Sequence, residues 1–190
     1  MNRSEARIVD RADCDRVLLE EDVPVVVTKG VFSSVELSGL EALAKPLHYR
    51  SVPRWLGNFA FVTFRRSPSF GPQDYPVLPS SFEPFVKVLE ALVTVQSFNT
   101  IFLQRYGVGS EVLRHRDPLT NTATTIIAPF GDFGGAESLC EGYRFFVRPG
   151  DVAIQRCTTS CLLSRPWHSV SPVTKGTRYA LILNTIDTEA

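Results

Sequence analysis

The spacing of apolar residues predicts two helices in the first half of the chain. Between residues 37 and 47, leucine and alanine recur at the three- and four-residue intervals of one helix face. Ser33 and Glu36 precede this run as a capping box, and Pro46 is expected to end the helix near its last turn. A second run with the same spacing begins near Ser80.

Strand-like patterns occur at residues 23–27 and 58–64 and dominate the chain from Phe98 onward. There, eight short runs rich in β-branched and aromatic residues are separated by Gly, Pro and Asp, which is typical of an antiparallel sandwich or jelly roll. No helical period of useful length follows Gln96. We therefore expect an α+β protein that is mainly β, with a jelly-roll core and N-terminal supporting helices.

The length fits one domain that spans residues 1–190. Within it, the patterns predict a support and loop region over 1–97 and a jelly-roll core over 98–186. The first two dozen residues have the mixed charge of a solvated lead-in.

Composition and charge narrow the class of protein. The chain is 44% hydrophobic and 21% charged, and its 20 basic residues balance 20 acidic ones, so the sequence offers no strong evidence for a nucleic-acid partner. It has neither an apolar run of membrane-spanning length nor an apolar signal core at its N-terminus. We expect a soluble intracellular protein, cytoplasmic or nuclear, with no membrane partner.

The four cysteines are too few for a disulfide scaffold in a chain of this length, so reduced thiols are expected. Cys157 and Cys161 have a spacing found in some zinc sites, but no second Cys/His pair accompanies them. We therefore expect Cys157 and Cys161 to be free thiols, and zinc ligation is the alternative.

The chemistry-bearing motif is His115-Arg116-Asp117. In a strand, residues i and i+2 point to the same side, so His115 and Asp117 are expected to project together. A histidine and a carboxylate are two of the three ligands in the 2-His-1-carboxylate triad that holds Fe(II) and leaves one face open. His168, in a later strand of the core, is the expected third ligand. The alternative for His115 and Asp117 is a surface histidine beside a solvated Asp.

Arg178 lies near the start of the apolar run RYALILNTI, ten residues after His168. An arginine that points into a β core needs an anionic partner, because an unpaired buried charge is costly. A dicarboxylate cosubstrate would supply that partner through charge-assisted hydrogen bonds. The alternative is an exposed arginine at the start of a strand.

Together these motifs resemble the prolyl-4-hydroxylase branch of the Fe(II)- and 2-oxoglutarate-dependent dioxygenases. The resemblance lies in segments 106–117 (YGVGSEVLRHRD), 134–137 (GGAE), 149–151 (PGD) and 168–179 (HSVSPVTKGTRY). It covers about residues 98–185, and the combined motif is specific although its pieces are not. It implies a double-stranded β-helix fold.

The resemblance also implies the roles of the site residues. His115, Asp117 and His168 would bind Fe(II) and form the catalytic centre, and Arg178 would pair with the distal carboxylate of 2-oxoglutarate. Tyr106 would hydrogen-bond that cosubstrate, while Val170 would line its pocket. The implied activity is oxidative hydroxylation that releases succinate and CO₂, with ascorbate as an additional reductant.

One departure from the family concerns the position two residues after the cosubstrate arginine. Many relatives have Ser there, and this chain has Ala180. A second hydroxyl would then have to come from elsewhere, with Thr124 and Thr125 as the candidates.

The substrate is open between a peptide side chain, a nucleobase and a small metabolite, and proline in a protein is favoured. Segment 131–137 (GDFGGAE) also resembles the TET and J-binding-protein branch, which oxidises flipped bases. Arg54, Arg65 and Arg66, with Trp55 and Phe59, would form the corresponding nucleic-acid surface; the alternative is a solvated loop. A cupin-like binding or sensing module without turnover is the alternative outside enzymes.

The proline-rich loop at residues 65–80 precedes the core and contains both cationic and aromatic side chains. Because loops on rigid scaffolds commonly carry specificity, we expect it to border the open side of the metal site and to help select the substrate. The alternative is a connector on the far side of the barrel.

Overall fold

The computed structural model of the chain describes residues 5–20, 23–69, 71–121, 124–156 and 164–187. Within these ranges the strands form an eight-stranded sheet, here called the large sheet, a four-stranded small sheet and a two-stranded ribbon. The double-stranded β-helix expected from the sequence is confirmed.

The strands are numbered in chain order. The large sheet contains, in spatial order, β1 (Arg7–Ile8), β2 (Val25–Thr28), β11 (Val152–Gln155), β7 (Thr125–Phe130), β14 (Arg178–Asn184), β5 (Thr100–Tyr106), β4 (Ala60–Arg65) and β3 (Arg50–Ser51). The small sheet contains β10 (Tyr143–Phe145), β9 (Ser138–Cys140), β12 (His168–Val170) and β6 (Val112–His115). The ribbon pairs β13 (Val173–Gly176) with β8 (Phe133–Gly135).

Three described helices precede the core strands: α1 (Cys14–Glu20), α2 (Ser34–Ala44) and α3 (Glu83–Glu90). Helix α2 begins with the predicted capping box: the Glu36 backbone N–H donates to the Ser33 hydroxyl, and the Ser33 backbone N–H donates to the Glu36 carboxylate at 2.7 Å. None of the described helices has the length and apolar character that a membrane crossing requires.

The prediction of a solvated N-terminal lead-in is wrong. Strand β1 pairs in parallel with β2, and helix α1 buries Cys14 and Val17 in the main hydrophobic core. Charged residues surround these two positions in the sequence, so a helix of two turns leaves too short an apolar pattern to be recognised.

The large sheet is buried on both faces around β14. Leu181 and Leu183 belong to the core that also contains helix residues such as Leu40 and Leu89. On the other face of the strand, Ala180 and Ile182 belong to a second core, which the small sheet helps to form. The space between the two sheets is where the predicted site residues meet.

Candidate metal centre and cavity

The small sheet brings the two predicted histidine ligands face to face. His115, at the end of β6, and His168, at the start of β12, are register partners in an antiparallel pair, with ring centroids 4.2 Å apart. Asp117 follows β6 by two residues, and one ligand atom from each of the three residues lies within 4.8 Å of the others. The spacing in the sequence and the strand register therefore produce one cluster.

Both imidazoles present Nε2 to the same carboxylate oxygen. The Nε2 atoms of His115 and His168 lie 3.8 and 3.5 Å from Asp117 Oδ1. On the other side of the rings, Nδ1 of His115 is 2.8 Å from the Leu113 carbonyl and Nδ1 of His168 is 3.2 Å from the Pro166 carbonyl. Carbonyls only accept hydrogen bonds, so the Leu113 carbonyl favours a proton on Nδ1 of His115 and leaves its Nε2 free to bind a metal. Nδ1 of His168 also lies 3.0 Å from the side-chain nitrogen of Gln155, which helps to fix the position of that ring.

The charge states within the cluster also suit a metal site. Burial and the adjacent His168 lower the pKa of His115, which keeps that ring neutral. Burial is the largest single influence on His168 and disfavours its charged form, but the charge of Asp117, a hydrogen bond with Asp117 and the Pro166 carbonyl together outweigh burial and raise the pKa of His168. A carboxylate held against two imidazoles is the donor set of the facial triad, and the residues fit Fe(II).

A cavity of about 400 Å³ opens beside the triad. Every residue that the resemblance implicates lines it: the triad itself, Tyr106, Val170 and Arg178. Tyr106 and Arg178 face each other because they are register partners on β5 and β14.

Arg178 is a buried cation whose described surroundings offer no carboxylate. Arg178 is only 3% exposed. Its guanidinium lies 4.7 Å from the ring centroid of Tyr106 and 5.9 Å from that of Phe133. Among the described residues, no acidic side chain comes within ion-pair distance of it. Arg178 lies against Tyr106 and lines the cavity, so its guanidinium is available to an anionic group that enters this end.

The structure corrects the prediction that Thr124 or Thr125 replaces the missing serine hydroxyl. Thr125 hydrogen-bonds with Asn184, which is six residues beyond Arg178 on β14 and therefore at the other end of the cavity. Thr124 is not among the described residues that line the cavity, and its backbone pairs with the carboxamide of Gln96.

The residue opposite Ala180 is Gln104, its register partner on β5. Gln104 lines the cavity two residues before Tyr106, and its Oε1 accepts a hydrogen bond from the Tyr106 hydroxyl. The small side chain of Ala180 thus leaves room beside a carboxamide that sequence reasoning missed. The available signal was alternation, because i and i+2 share a face of a strand.

The loop at residues 65–80 reaches the cavity through Tyr75, which lines it together with His115. The loop is anchored on both sides: Arg65 exchanges backbone hydrogen bonds with Pro76 and Leu78. Its part in choosing the substrate stays a prediction.

The predicted nucleic-acid surface is partly wrong. Phe59 is buried and stacks on Tyr106, with ring centroids 4.8 Å apart. Arg66 is held by Glu83 and Glu90, each at 2.7 Å, and so ties the loop to helix α3. Trp55 is exposed.

The cysteine pair 157 and 161 lies outside the described residues. The other two cysteines, Cys14 and Cys140, are buried free thiols, and burial raises the pKa of Cys140 to about 12.

Comparison with known proteins gives matches among solved structures. No protein-family model and no curated protein sequence matches the chain. An oxidoreductase of the 2OG-Fe(II) oxygenase family from Burkholderia pseudomallei matches with a TM-score of 0.65 and 18% identity, over 95% of this chain and 94% of that one. A prolyl-4-hydroxylase from Pseudomonas putida matches with a TM-score of 0.69 and 10% identity, over 93% of this chain and 98% of that one.

A third solved structure is a viral collagen prolyl hydroxylase from Paramecium Bursaria Chlorella virus-1, bound to 2OG. It matches with a TM-score of 0.63 and 14% identity, over 87% of this chain and 97% of that one. The chain therefore has the fold of the 2OG-Fe(II) oxygenases, prolyl-4-hydroxylases among them, and an intact His–Asp–His triad lies inside it.

Proposed function

We propose that the chain is an Fe(II)- and 2-oxoglutarate-dependent dioxygenase that hydroxylates a protein side chain such as proline. The observation that carries the proposal is a single cavity that contains both a metal-binding triad and a buried arginine without a described carboxylate partner. A metal site alone would also suit a cupin-like binding module. The unneutralised cation beside it favours an anionic cosubstrate.

Metal binding and cosubstrate binding would take place in two different parts of the cavity. His115, Asp117 and His168 would hold iron, which with 2-oxoglutarate supplies the activation of O₂ and the oxidation of a C–H bond. Arg178 and Tyr106 would bind the distal carboxylate of the cosubstrate and fix its orientation. The apolar side chain of Val170 lines the cavity and would help to exclude water from it.

Calorimetry with Mn(II)-loaded protein tests the cosubstrate assignment without turnover. We expect 2-oxoglutarate to bind, and 2-oxovalerate, which lacks the distal carboxylate, to bind about tenfold or more weakly because the Arg178 contact is lost. Equal binding of the two acids, or no binding of either, would contradict the proposal.

Turnover is measured as succinate release with Fe(II), 2-oxoglutarate and ascorbate over a panel of proline-containing peptides. The expected product is a peptide whose mass has increased by one oxygen atom. Succinate release that no substrate stimulates would leave hydroxylation of a peptide unsupported. Absence of succinate from every reaction would favour the cupin-like module.

Nucleobase oxidation is the second candidate function, and one surface favours it. Arg114 and Arg116 place their guanidinium carbons 4.6 and 4.4 Å from the ring centroid of Trp167. All three residues are next to a metal ligand in the sequence: the arginines flank His115, and Trp167 precedes His168. Neither arginine has a carboxylate within ion-pair distance among the described residues. Adding single-stranded DNA and RNA to the succinate panel distinguishes this candidate from peptide hydroxylation.

A further inference from the structure

Two of the three candidate metal ligands lie on strands, but Asp117 does not. His115 ends β6 and His168 begins β12, and the antiparallel register places the two residues opposite each other. Asp117 follows β6 by two residues, in a stretch (116–118) without regular secondary structure. Strand pairing therefore does not fix the carboxylate, and its position relative to His168 depends on other contacts.

The side chain of Arg165 binds the segment that follows Asp117. Arg165 is only 3% exposed. Its Nη1 donates hydrogen bonds to the carbonyls of Pro118 and Asn121, at 2.7 and 2.5 Å, and its Nη2 donates to the Leu119 carbonyl at 3.2 Å. One buried guanidinium thus contacts three of the four carbonyls that come directly after the carboxylate ligand.

The backbone of Arg165 leads directly into the other ligand segment. Pro166 follows it, and the Pro166 carbonyl lies 3.2 Å from Nδ1 of His168. The proline ring fixes φ at that residue, which limits the backbone freedom between Arg165 and the histidine. Arg165 therefore lies where the two ligand segments meet: its side chain holds one of them, and its backbone belongs to the other.

The chemistry of the contact suits a rigid connection. A guanidinium group is planar and has five N–H donors, while backbone carbonyls only accept. Hydrogen bonds from a charged donor are stronger than those between neutral groups. Loss of these acceptors would leave a buried cation unsatisfied, which is costly, so the segment after Asp117 is expected to stay bound to Arg165.

The same segment has a second attachment, on the side of the large sheet. The Asp187 backbone N–H donates to the Thr120 carbonyl at 2.7 Å, and Asn121 forms a β-bridge with Ile186. These contacts do not involve Arg165, so they would keep the segment folded without it. Loss of the arginine should therefore release the segment from the side of His168 alone.

We propose that Arg165 is a positioning residue of the metal centre, which holds the segment after Asp117 against the segment before His168 and so sets the distance between these two ligands. The inference rests on the proposed function, from which it takes the triad as the metal site. Arg165 is not among the described residues that line the cavity. It would therefore act on the metal through Asp117, without contacting the metal or a substrate.

The test measures Mn(II) affinity by calorimetry and the visible absorption spectrum of Co(II)-loaded protein, which reports the ligand geometry. Arg165→Met keeps the apolar stem but removes every donor. We expect Mn(II) affinity to fall about tenfold, as it does when outer partners of metal ligands are changed, and the Co(II) bands to shift. Arg148→Met is the matched control, because it removes one positive charge at an exposed position, and both measurements should stay at wild type.

Chemical rescue separates the hydrogen bonds from simple packing. Arg165→Ala leaves a space beside the three carbonyls that a guanidinium ion from solution can occupy. We expect guanidinium chloride at a low, non-denaturing concentration to restore part of the Mn(II) affinity, and sodium chloride at the same ionic strength to restore none.

A further variant keeps the test decisive if Arg165→Met and Arg165→Ala do not fold. Arg165→Lys retains the charge, but its single ammonium group lacks the planar set of donors. Its Mn(II) affinity should fall about threefold, with a shift of the Co(II) bands in the same direction as in Arg165→Met.

The outcomes distinguish this inference from the proposed function. If wild-type protein does not bind Mn(II), or if His168→Ala binds it equally well, the metal centre and the proposed function are both refuted. If the wild type binds Mn(II) and a folded Arg165 variant has the same affinity and the same Co(II) spectrum, the role of Arg165 is overturned, even where thermal stability falls. Equal effects of the two salts on Arg165→Ala would also overturn it.

Discussion

The large and small sheets face each other across one cavity, yet they differ in how deeply they are buried. All seven residues of β14 in the large sheet are buried. In the small sheet, none of the three residues of β12 is fully buried, and in β6 only Val112 is. The difference indicates that the large sheet supplies most of the stabilising packing, while the small sheet is free to expose metal ligands.

The cavity requires both sheets because each contributes a different kind of group. The metal ligands come from the small sheet and the residue just beyond β6. Arg178 and Tyr106, which would contact the cosubstrate, come from the inner face of the large sheet. Variants of the two sheets should therefore affect different measurements.

The largest expected effect comes from the metal ligands. Asp117→Ala removes the carboxylate shared by both imidazoles, so substrate-dependent succinate release should fall by about a thousandfold or more. The metal-free variant should unfold within a few degrees of metal-free wild type, because Asp117 is not part of a hydrophobic core. A large loss of thermal stability, or full Fe(II) content in either Asp117→Ala or His168→Ala, would contradict this division of roles.

A substitution on the outer face of the large sheet should have the opposite effect: it should lower stability and leave ligand binding unchanged. Leu181→Ala leaves a cavity in the main core and should lower the free energy of unfolding by about 2–5 kcal/mol. The affinity of the folded protein for 2-oxoglutarate should remain unchanged, because Leu181 points away from the cavity. Urea denaturation and calorimetry measure the two quantities, and weakened binding at a temperature where the variant is folded would count against the separation.

A substitution on the inner face of β14 should weaken ligand binding but lower the free energy of unfolding less than Leu181→Ala does. Arg178→Lys keeps the charge but loses the planar guanidinium, which can donate two hydrogen bonds to one carboxylate. The dissociation constant for 2-oxoglutarate should therefore rise about tenfold. Arg105→Lys is a matched control, since Arg105 stacks on Tyr49 rather than facing the cavity. Equal effects of the two changes would show that the contact with Arg178 is not specific.

Gln104→Ala should have the smallest effect, a rise of about two- to fivefold in the dissociation constant for 2-oxoglutarate. The cause would be loss of the carboxamide that contacts Tyr106. Adding Ala180→Ser places a hydroxyl on the opposite strand and should recover part of the affinity. Binding of 2-oxovalerate should not respond to either change, and a parallel response would show that Gln104 acts on the fold alone.

Part of this site could be predicted from the sequence because it depends on local rules. The capping box at Ser33 and the proximity of His115 and Asp117 follow from spacing over two or three residues. Gln104 opposite Ala180 could not be found in this way, because their pairing depends on the register between β5 and β14. The expectation that Thr124 or Thr125 would supply a second hydroxyl to the cosubstrate was wrong for the same reason.

Arg178 and Asn184 lie on one strand and both line the cavity, which has a consequence for how relatives of this chain could diversify. Side chains alternate along β14, so inserting or deleting one residue between the two would turn one of them out of the cavity. A change of two residues keeps both inside and alters their separation by about 7 Å. Substrate size along this axis is therefore expected to evolve in two-residue steps, whereas finer adjustment is left to the side chains and to the loop that carries Tyr75.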